Sequence, residues 1–285
     1  MNEARGGAPL APPTPWLVAW FKRYARRYVA RSFHAVRVGG IEHLPRGGEP
    51  VVVYCNHPSW WDPMIATLLA ERAFAERDHW ALIDASQLER YRFFARLGFV
   101  GVEPGTRRGA RRLLDVADDL AGRRDATLWL TPQGRFADPR ERPLALAGGL
   151  ERLARRVPGA RFVPLALEYP FGEERLPEAR ALFGECVRFE GLGERRGVEG
   201  TPGEVLATRL TATADALADT IVARSLDGFE TILEGRAGVG GVYDLWRRAR
   251  AKLRGERFDT AHAAREGADG VALPEVSASG SVERT

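Results

Sequence analysis

Short apolar runs alternate with amphipathic stretches along the central part of the chain. Runs such as VVVYC at 51–55 and ATLWL at 126–130 have the length and apolar content typical of buried strands. The segment TRRGARRLLDVADDLAG at 106–122 instead repeats apolar residues every three or four positions and ends at a glycine, as helices do. This alternation predicts an α/β fold in which a central mixed sheet is covered by helices.

The same patterns predict the other elements and the domain organisation. Further strands are expected within 34–45, 79–86, 99–103, 161–169 and 185–191. Further helices are expected at 62–75, 87–98, 148–157, 204–225 and 243–258. The predicted organisation is a flexible N-terminus at 1–15, a separate helix at 16–33, a folded domain at 34–258 and a disordered tail of small polar residues at 259–285.

The segment 16–33 has the pattern of an amphipathic helix. Two neighbouring i, i+4 rows are aromatic or apolar: Trp16, Trp20, Tyr24 and Tyr28, then Leu17, Phe21, Ala25, Val29 and Phe33. The opposite face carries five basic residues and no acid: Lys22, Arg23, Arg26, Arg27 and Arg31. Such a helix either packs on the folded domain or lies in a lipid interface, and its tryptophans and positive charge favour the interface.

The charge of the chain favours phosphate-bearing partners. The formal net charge is +4 and the pI is near 9.4, and Lys22 and Lys252 are the only lysines among 42 basic residues. Arginine binds phosphate and carboxylate through paired hydrogen bonds, although genome composition can produce the same bias. No nucleic-acid reading motif is present and the charge is dispersed, so nucleic acid is not an expected partner.

Cysteine usage and hydropathy predict a cytoplasmic protein. Cys55 and Cys186 stand far apart and suit a reducing compartment without disulfides or a zinc knuckle. No uncharged apolar run approaches the roughly 20 residues of a membrane-spanning helix. The opening residues are rich in proline and glycine and lack the apolar core of a signal peptide. The basic aromatic helices at 16–33 and 243–258 still allow attachment to the inner face of the cell membrane.

The stretch NHPSWWDP at 56–63 places a histidine and an aspartate between a buried strand and a helix start. Asp62 suits the N-cap of that helix, with Pro63 at its first position. A histidine can take a proton near neutral pH, and a carboxylate can orient it, so His57 and Asp62 form a candidate catalytic pair. The alternative is a structural histidine satisfied in the core. Open α/β sheets bind ligands at such strand ends, which favours catalysis.

Neither a nucleophilic serine nor a metal site accompanies this pair in the sequence. Ser59 lies between His57 and Asp62, but the chain has no G-x-S-x-G motif. The other histidines show no metal-ligand spacing with His57, so no metal is expected. The hydroxyl that His57 activates is therefore expected to belong to a substrate.

These residues resemble the N-H-x4-D block of the glycerolipid acyltransferases, the family of bacterial 1-acylglycerol-3-phosphate acyltransferase. Further blocks follow in the order of that family: LGFVGVEPGTRRG at 97–109, LTPQGRF at 130–136 and FVPLALEY at 162–169. The departures are Glu103 where an arginine is usual, Gln133 in place of glutamate, and Arg135 directly after Gly134. The phosphate contact then passes to Arg107 or Arg108, or is absent.

The resemblance implies direct transfer of an acyl chain from acyl-CoA or acyl-carrier protein to a lipid hydroxyl. It implies His57 as general base, Asp62 as its partner, and no cofactor. It also implies a set of substrate-binding residues, namely Arg107, Arg108, Gln133, Gly134 and Arg135. Backbone N–H groups of the 132–135 turn are candidates to stabilise the oxyanion.

The acceptor and two other functions stay open at this point. Lysophosphatidic acid is the default acceptor, and an ornithine lipid or a glycosylated isoprenoid fits the altered phosphate block as well. One alternative function is a lipid or ester hydrolase that uses the same histidine to activate water. The other is a non-catalytic membrane-binding protein, in which the helix at 16–33 would matter and His57 would not.

Overall fold

The computed structural model describes residues 10–189 and 200–237. These residues form a mixed sheet of nine strands with helices on both faces, so the predicted α/β fold is confirmed. The strands are β1 (Ala35–Gly39), β2 (Val51–Cys55), β3 (Asp78–Asp84), β4 (Phe99–Val102), β5 (Ala126–Leu130), β6 (Arg161–Glu168), β7 (Glu178–Phe183), β8 (Val187–Arg188) and β9 (Phe229–Glu234). The helices are α1 (Pro15–Ser32), α2 (Asp62–Ala73), α3 (Ala85–Arg90), α4 (Arg107–Ala121), α5 (Gly149–Arg156) and α6 (Pro202–Val222), with 3-10 segments at Ile41–His43 and Arg92–Leu97.

The strand order places β2 near the middle of the sheet. The path is β4-β3-β5-β2-β6-β7-β1-β9, and β8 pairs with β6. Strands β4, β3, β5, β2 and β6 run parallel to one another, whereas β7 is antiparallel to β6. Because parallel strands share one carboxyl edge, the residues that follow β2, β5 and β6 come together in space.

Two hydrophobic clusters fill the space between the sheet and its helices. On one face α4, α5 and α6 contribute residues such as Leu120, Leu153 and Leu210. On the other face α1 and α2 contribute Val29 and Ile65. Every residue of β2 is buried and alternate residues point into alternate clusters, as expected for a central parallel strand. The end of β2 is therefore held by packing from both sides.

Helix α1 buries one of its two apolar rows and exposes the other. The buried row packs in the same cluster as α2 and consists of Phe21, Ala25 and Val29. The exposed row, called the aromatic row below, consists of Trp16, Trp20, Tyr24 and Tyr28, which are 63, 53, 42 and 36% exposed. No helix in the described part of the chain is long and apolar enough to cross a membrane.

Residues 10–14, which the sequence predicts to be flexible, are packed against the domain. Leu10 is fully buried and its N–H donates to Asp119 Oδ2 at 2.9 Å. The Ala11 carbonyl accepts the indole N–H of Trp80 at 2.8 Å. Proline fixes φ and so favours an ordered extended loop here as readily as a flexible one.

Several elements differ from the sequence-based prediction. The helix expected at 87–98 divides at Tyr91 into α3 and a 3-10 segment. The strand expected at 185–191 is the two-residue β8, and strands β7 and β9 are additional. The helix predicted at 243–258 and the tail predicted at 259–285 lie outside the described residues.

Candidate active site

His57 and Asp62 meet at the carboxyl end of β2. His57 Nδ1 and Asp62 Oδ2 lie 2.5 Å apart. The Asp62 side chain is 4% exposed and that of His57 is 20% exposed. A buried carboxylate accepts hydrogen bonds, so this contact assigns the imidazole proton to Nδ1. The other nitrogen, Nε2, has no hydrogen-bond partner among the described residues and is the unprotonated atom of the neutral ring.

Asp62 is the first residue of α2 and not its N-cap, which corrects the prediction. Trp61 occupies the N-cap position, and no side chain there accepts a helix N–H. The Asp62 carboxylate turns back toward the β2 loop, where it also accepts the Ser59 N–H at 3.3 Å. A carboxylate in the first turn of a helix is favoured by the helix dipole. The same residue thus begins the helix and orients His57.

Asn56 fixes the backbone immediately before His57. Its side chain donates to the Leu167 carbonyl at 2.9 Å and accepts the Leu167 N–H at 2.8 Å. Asn56 is buried, and Leu167 lies in β6, the neighbour of β2. This pair of hydrogen bonds extends the β2–β6 ladder by one residue beyond Cys55, so His57 leaves the sheet from a fixed point.

Tyr169 binds the second oxygen of Asp62, and the sequence analysis missed this role. It directly follows β6, and its hydroxyl donates to Asp62 Oδ1 at 2.6 Å. Burial, together with the neighbouring Asp62 carboxylate, raises the pKa of Tyr169 well above its ordinary range. The phenol therefore stays protonated and remains a donor. The available signal was a tyrosine at the end of a second apolar strand, but only the β2–β6 pairing brings it to Asp62.

The loop that follows β5 is hydrogen-bonded to the backbone of His57 on both sides. Gln133 Oε1 accepts the His57 N–H at 2.9 Å, and the Ala137 N–H donates to the His57 carbonyl at 3.0 Å. Gly134 has a φ of +66°, which favours glycine in this turn. Its N–H donates to the Thr131 carbonyl. Since Pro132 has no N–H, the amides left in the 132–135 turn belong to Gln133 and Arg135.

Phe136 covers one face of His57 from the same loop. The centroids of the two rings lie 4.3 Å apart at an interplanar angle of 34°. Phe136 is nevertheless 58% exposed, so an apolar surface borders the imidazole on the solvent side. A substrate that reaches His57 would meet this ring.

The three arginines predicted to bind substrate lie in two places along the carboxyl edge. Arg135 belongs to the loop beside His57 and forms an ion pair with Glu141. Arg107 and Arg108 begin α4, which follows β4, three strands away from β2. Three strand spacings correspond to roughly 14 Å. The structure therefore brings Arg135, Gln133 and Gly134 to the dyad and keeps the α4 arginines further along the edge.

Glu103, the departure from the usual arginine, has a local partner. Arg108 Nη1 lies 3.2 Å from Glu103 Oε1, and the Arg108 side chain is 86% exposed. Arg107 is also exposed and has no acidic partner among the described residues. Arg107 is thus the more available cation of the two at the start of α4.

Neither neighbouring nucleophile is arranged to attack a substrate. Cys55 is buried, and this burial, with a smaller effect of Asp62, raises the pKa of its thiol well above the ordinary range. Ser59 Oγ accepts the Trp61 N–H at 3.3 Å and makes no hydrogen bond to His57. Within residues 10–189 and 200–237, no group of three or more His, Cys, Asp or Glu side chains is placed to hold a metal ion.

The aromatic row of α1 leads to the dyad loop through ring contacts. Trp20 and Tyr24, and likewise Tyr24 and Tyr28, stack with centroids 5.6 Å apart. Tyr28 then contacts Trp60 at 6.4 Å and Trp61 at 5.2 Å. Both tryptophans lie between His57 and Asp62 in the chain. The exposed aromatic surface of α1 is thus continuous with the loop that carries the dyad.

A comparison with known protein families finds a match. The model of a family described as Acyltransferase matches residues 35–168. This segment runs from β1 to the end of β6, contains the dyad and the loop after β5, and ends one residue before Tyr169. No curated protein gives a significant match to the chain.

Proposed function

Residues 35–168 belong to the acyltransferase family, and from this we propose that the protein moves a fatty acyl chain from an acyl thioester to the hydroxyl of a lipid, with His57 as general base. The acyltransferase class predicted from the sequence is confirmed by the family match. The observation that carries the mechanism is the 2.5 Å contact between His57 Nδ1 and Asp62 Oδ2, which leaves Nε2 as a base. The donor is acyl-CoA or acyl-carrier protein.

The dyad can perform both proton transfers of the reaction. As the acceptor oxygen attacks the thioester carbonyl carbon, His57 Nε2 takes the hydroxyl proton and Asp62 stabilises the imidazolium. The tetrahedral intermediate then expels the thiolate as the carbon–sulfur bond breaks. The imidazolium returns its proton to the departing sulfur, which restores neutral His57. General-base catalysis contributes roughly 10²- to 10⁴-fold, so oxyanion stabilisation is also required.

The turn after β5 is the candidate oxyanion site. It is tied to His57 through Gln133 and Ala137, so its backbone keeps a fixed position relative to the base. The amides of Gln133 and Arg135 are the donors that the turn leaves unused. Backbone N–H groups held in this way stabilise a developing oxyanion without rearrangement.

The acceptor is a lipid hydroxyl, for which lysophosphatidic acid is the default. In that case Arg107, Arg108 and Arg135 are the candidate phosphate ligands. The pairing of Arg108 with Glu103 and of Arg135 with Glu141 lowers the positive charge available there, which also makes an ornithine lipid or a glycosylated isoprenoid a reasonable acceptor. Arg107 has no acidic partner in the described part of the chain and is the first arginine to test.

Peripheral attachment to the inner face of the cell membrane is part of the proposal. The aromatic row and the basic residues of α1 have the composition of an interfacial helix. The row is continuous with Trp60 in the dyad loop. A lipid acceptor would thus reach His57 without leaving the interface.

Thiol release from palmitoyl-CoA tests the proposal. Purified protein is assayed with and without a panel of lyso-lipids, as wild type, His57→Ala and the control His43→Ala, whose half-exposed histidine follows β1. Acceptor-dependent release that is lost only in His57→Ala is the expected result. Equal release without acceptor would identify a hydrolase. Undiminished transfer by His57→Ala would exclude His57 as the base.

A further inference from the structure

We propose that Tyr169 is a positioning residue that sets the orientation and basicity of His57 through Asp62. The inference rests on the proposed role of His57 as general base. A continuous chain of hydrogen bonds joins the three side chains: Tyr169 Oη to Asp62 Oδ1 at 2.6 Å, and His57 Nδ1 to Asp62 Oδ2 at 2.5 Å. The dyad is therefore the inner part of a Tyr–Asp–His triad, whose members come from the residue after β6, the start of α2 and the loop after β2.

Tyr169 is the sole donor to Asp62 Oδ1 among the described residues. The other oxygen, Oδ2, receives both His57 and the Ser59 N–H. The carboxylate is 4% exposed, so water cannot easily replace a lost partner. The two hydrogen bonds to Oδ2 and the one to Oδ1 fix the plane of the Asp62 carboxylate. The orientation of that plane sets the orientation of the His57 ring, which is bonded to Oδ2.

A phenol donor also lowers the effective negative charge that faces His57. Hydrogen bonding to a carboxylate stabilises its charged form and weakens its attraction for a neighbouring cation. Removal of the phenol oxygen should therefore make the imidazolium more stable relative to the neutral ring. The buried Cys55 thiol also lies close to Asp62, and it is neutral. Arg135 and Arg140, in the loop that follows β5, have acidic partners in the pairs Arg135–Glu141 and Arg140–Glu168.

The Tyr169 ring has little freedom to move away. It packs against Phe33 with centroids 5.6 Å apart, and Phe33 packs edge-on against Trp61 at 4.9 Å. Phenylalanine at position 169 would keep these contacts and lose only the hydroxyl. Tyr169→Phe thus removes one hydrogen bond and leaves the packing of the ring unchanged.

The first readout is the titration of the His57 ring by NMR in histidine-labelled protein, with His57→Gln to assign the signal. In Tyr169→Phe we expect the His57 ring signals to change protonation state at a higher pH than in wild type. In the transfer assay, the acidic limb of the kcat/KM profile should move in the same direction. Loss of orientation should lower kcat about 10-fold, with KM for palmitoyl-CoA unchanged.

Tyr54→Phe is the matched control. Tyr54 is also a buried tyrosine, and it donates to the Leu206 carbonyl at 3.2 Å on the α6 side of the sheet. This variant also loses a phenol oxygen, but one whose hydrogen bond goes to Leu206 and not to Asp62. We expect a loss of stability similar to that of Tyr169→Phe, with a wild-type His57 titration.

Identical His57 titration in wild type and Tyr169→Phe would overturn the inference, whatever the activity of either protein. If Tyr169→Phe does not fold, replacement of the six tyrosines by 3-fluorotyrosine gives a stronger donor and should move the His57 titration to lower pH. No shift in that protein would equally overturn the inference. The titration needs no substrate, so failure of the proposed acyl transfer would appear separately, as missing turnover.

Discussion

The buried carboxylate of Asp62 determines which nitrogen of the His57 ring carries the proton. Asp62→Asn keeps the shape but can present an N–H to Nδ1, which would leave the proton on Nε2 and remove the base. We expect kcat to fall roughly 10²- to 10⁴-fold with KM for the acyl donor little changed. Steady-state kinetics at neutral pH measures this.

The control for that variant is Asp84→Asn. Asp84 caps α3 by accepting the Ser86 N–H at 2.8 Å, and it is exposed and lies at the end of β3, two strands away from β2. It should retain activity within about 2-fold of wild type. Full activity of Asp62→Asn would contradict the proposed role of the carboxylate.

Asn56 offers a test of how the strand end is fixed. Asn56→Ala leaves the Leu167 N–H and carbonyl buried without their partners. We expect the free energy of unfolding to fall by about 2–4 kcal/mol and kcat to fall as well, because His57 follows directly. Urea unfolding with an unchanged m-value measures the first effect. Wild-type stability would show that these hydrogen bonds are readily replaced.

The residues of the site differ in how far the sequence can predict them. The contact between His57 and Asp62 was predictable because one short loop after a buried strand carries both residues. The roles of Asn56 and Tyr169 were not predictable, since each depends on the pairing of β2 with β6. The ion pairs of Arg108 and Arg135 likewise depend on loop geometry.

At the element scale, strands were predicted where they are buried on both faces. VVVYC and ATLWL are central strands whose continuous apolar runs follow from that burial. EARALF, which forms β7, consists mainly of helix-favouring residues and becomes a strand through its pairing with β1 and β6. FETILE, which forms β9, lies at the sheet edge with only partial burial and gives no strong apolar signal.

The exposed row of α1 gives an element-scale prediction. A variant with Trp16→Ala, Trp20→Ala and Tyr24→Ala should fold normally, because these side chains are more than 40% exposed. If the row enters the lipid interface, its loss should weaken binding to phosphatidylglycerol vesicles at least ~10-fold. Vesicle co-sedimentation measures this.

The matching control substitutes exposed apolar residues on other helices. Leu114 on α4 and Val222 on α6 are 40 and 84% exposed, and Leu114→Ala with Val222→Ala removes apolar surface away from α1. This control should bind vesicles like wild type. Equal binding by the α1 variant would remove the aromatic row from the proposed membrane surface.

At the scale of the whole molecule, the strands within residues 35–168, the segment that the family model matches, do not form one continuous sheet by themselves. Strand β1 pairs only with β7 and β9 among the described strands, and both lie after residue 168. It is β7 that joins β1 to β6. Helix α6 also lies beyond this segment and covers one face of the sheet. Its Leu206 carbonyl accepts a hydrogen bond from the Tyr54 hydroxyl. The site therefore depends on residues after 168, Tyr169 among them, and the described chain to residue 237 forms one compact unit.

The stability of this unit should depend on pH through a histidine outside the proposed site. His79 lies in β3, where Nε2–H donates to the Phe74 carbonyl at 3.1 Å and Nδ1 accepts the Trp129 indole N–H at 3.2 Å. Both contacts suit the neutral ring. Burial lowers the pKa of His79 to about 4.

Because the folded pKa lies below the unfolded value, the unfolded state binds more protons in the interval between the two. The stabilisation is therefore complete above pH of about 6.5 and is lost as the pH falls toward 4, by about 3 kcal/mol from this group. In His79→Gln this contribution is absent. The excess of the wild-type unfolding free energy over that of the variant should therefore shrink by that amount as the pH falls from about 6.5 to 4. Urea unfolding across this pH range measures the difference, with the more exposed His43→Gln as a control that should follow wild type. Parallel curves for wild type and His79→Gln would show that His79 does not resist protonation in the folded state.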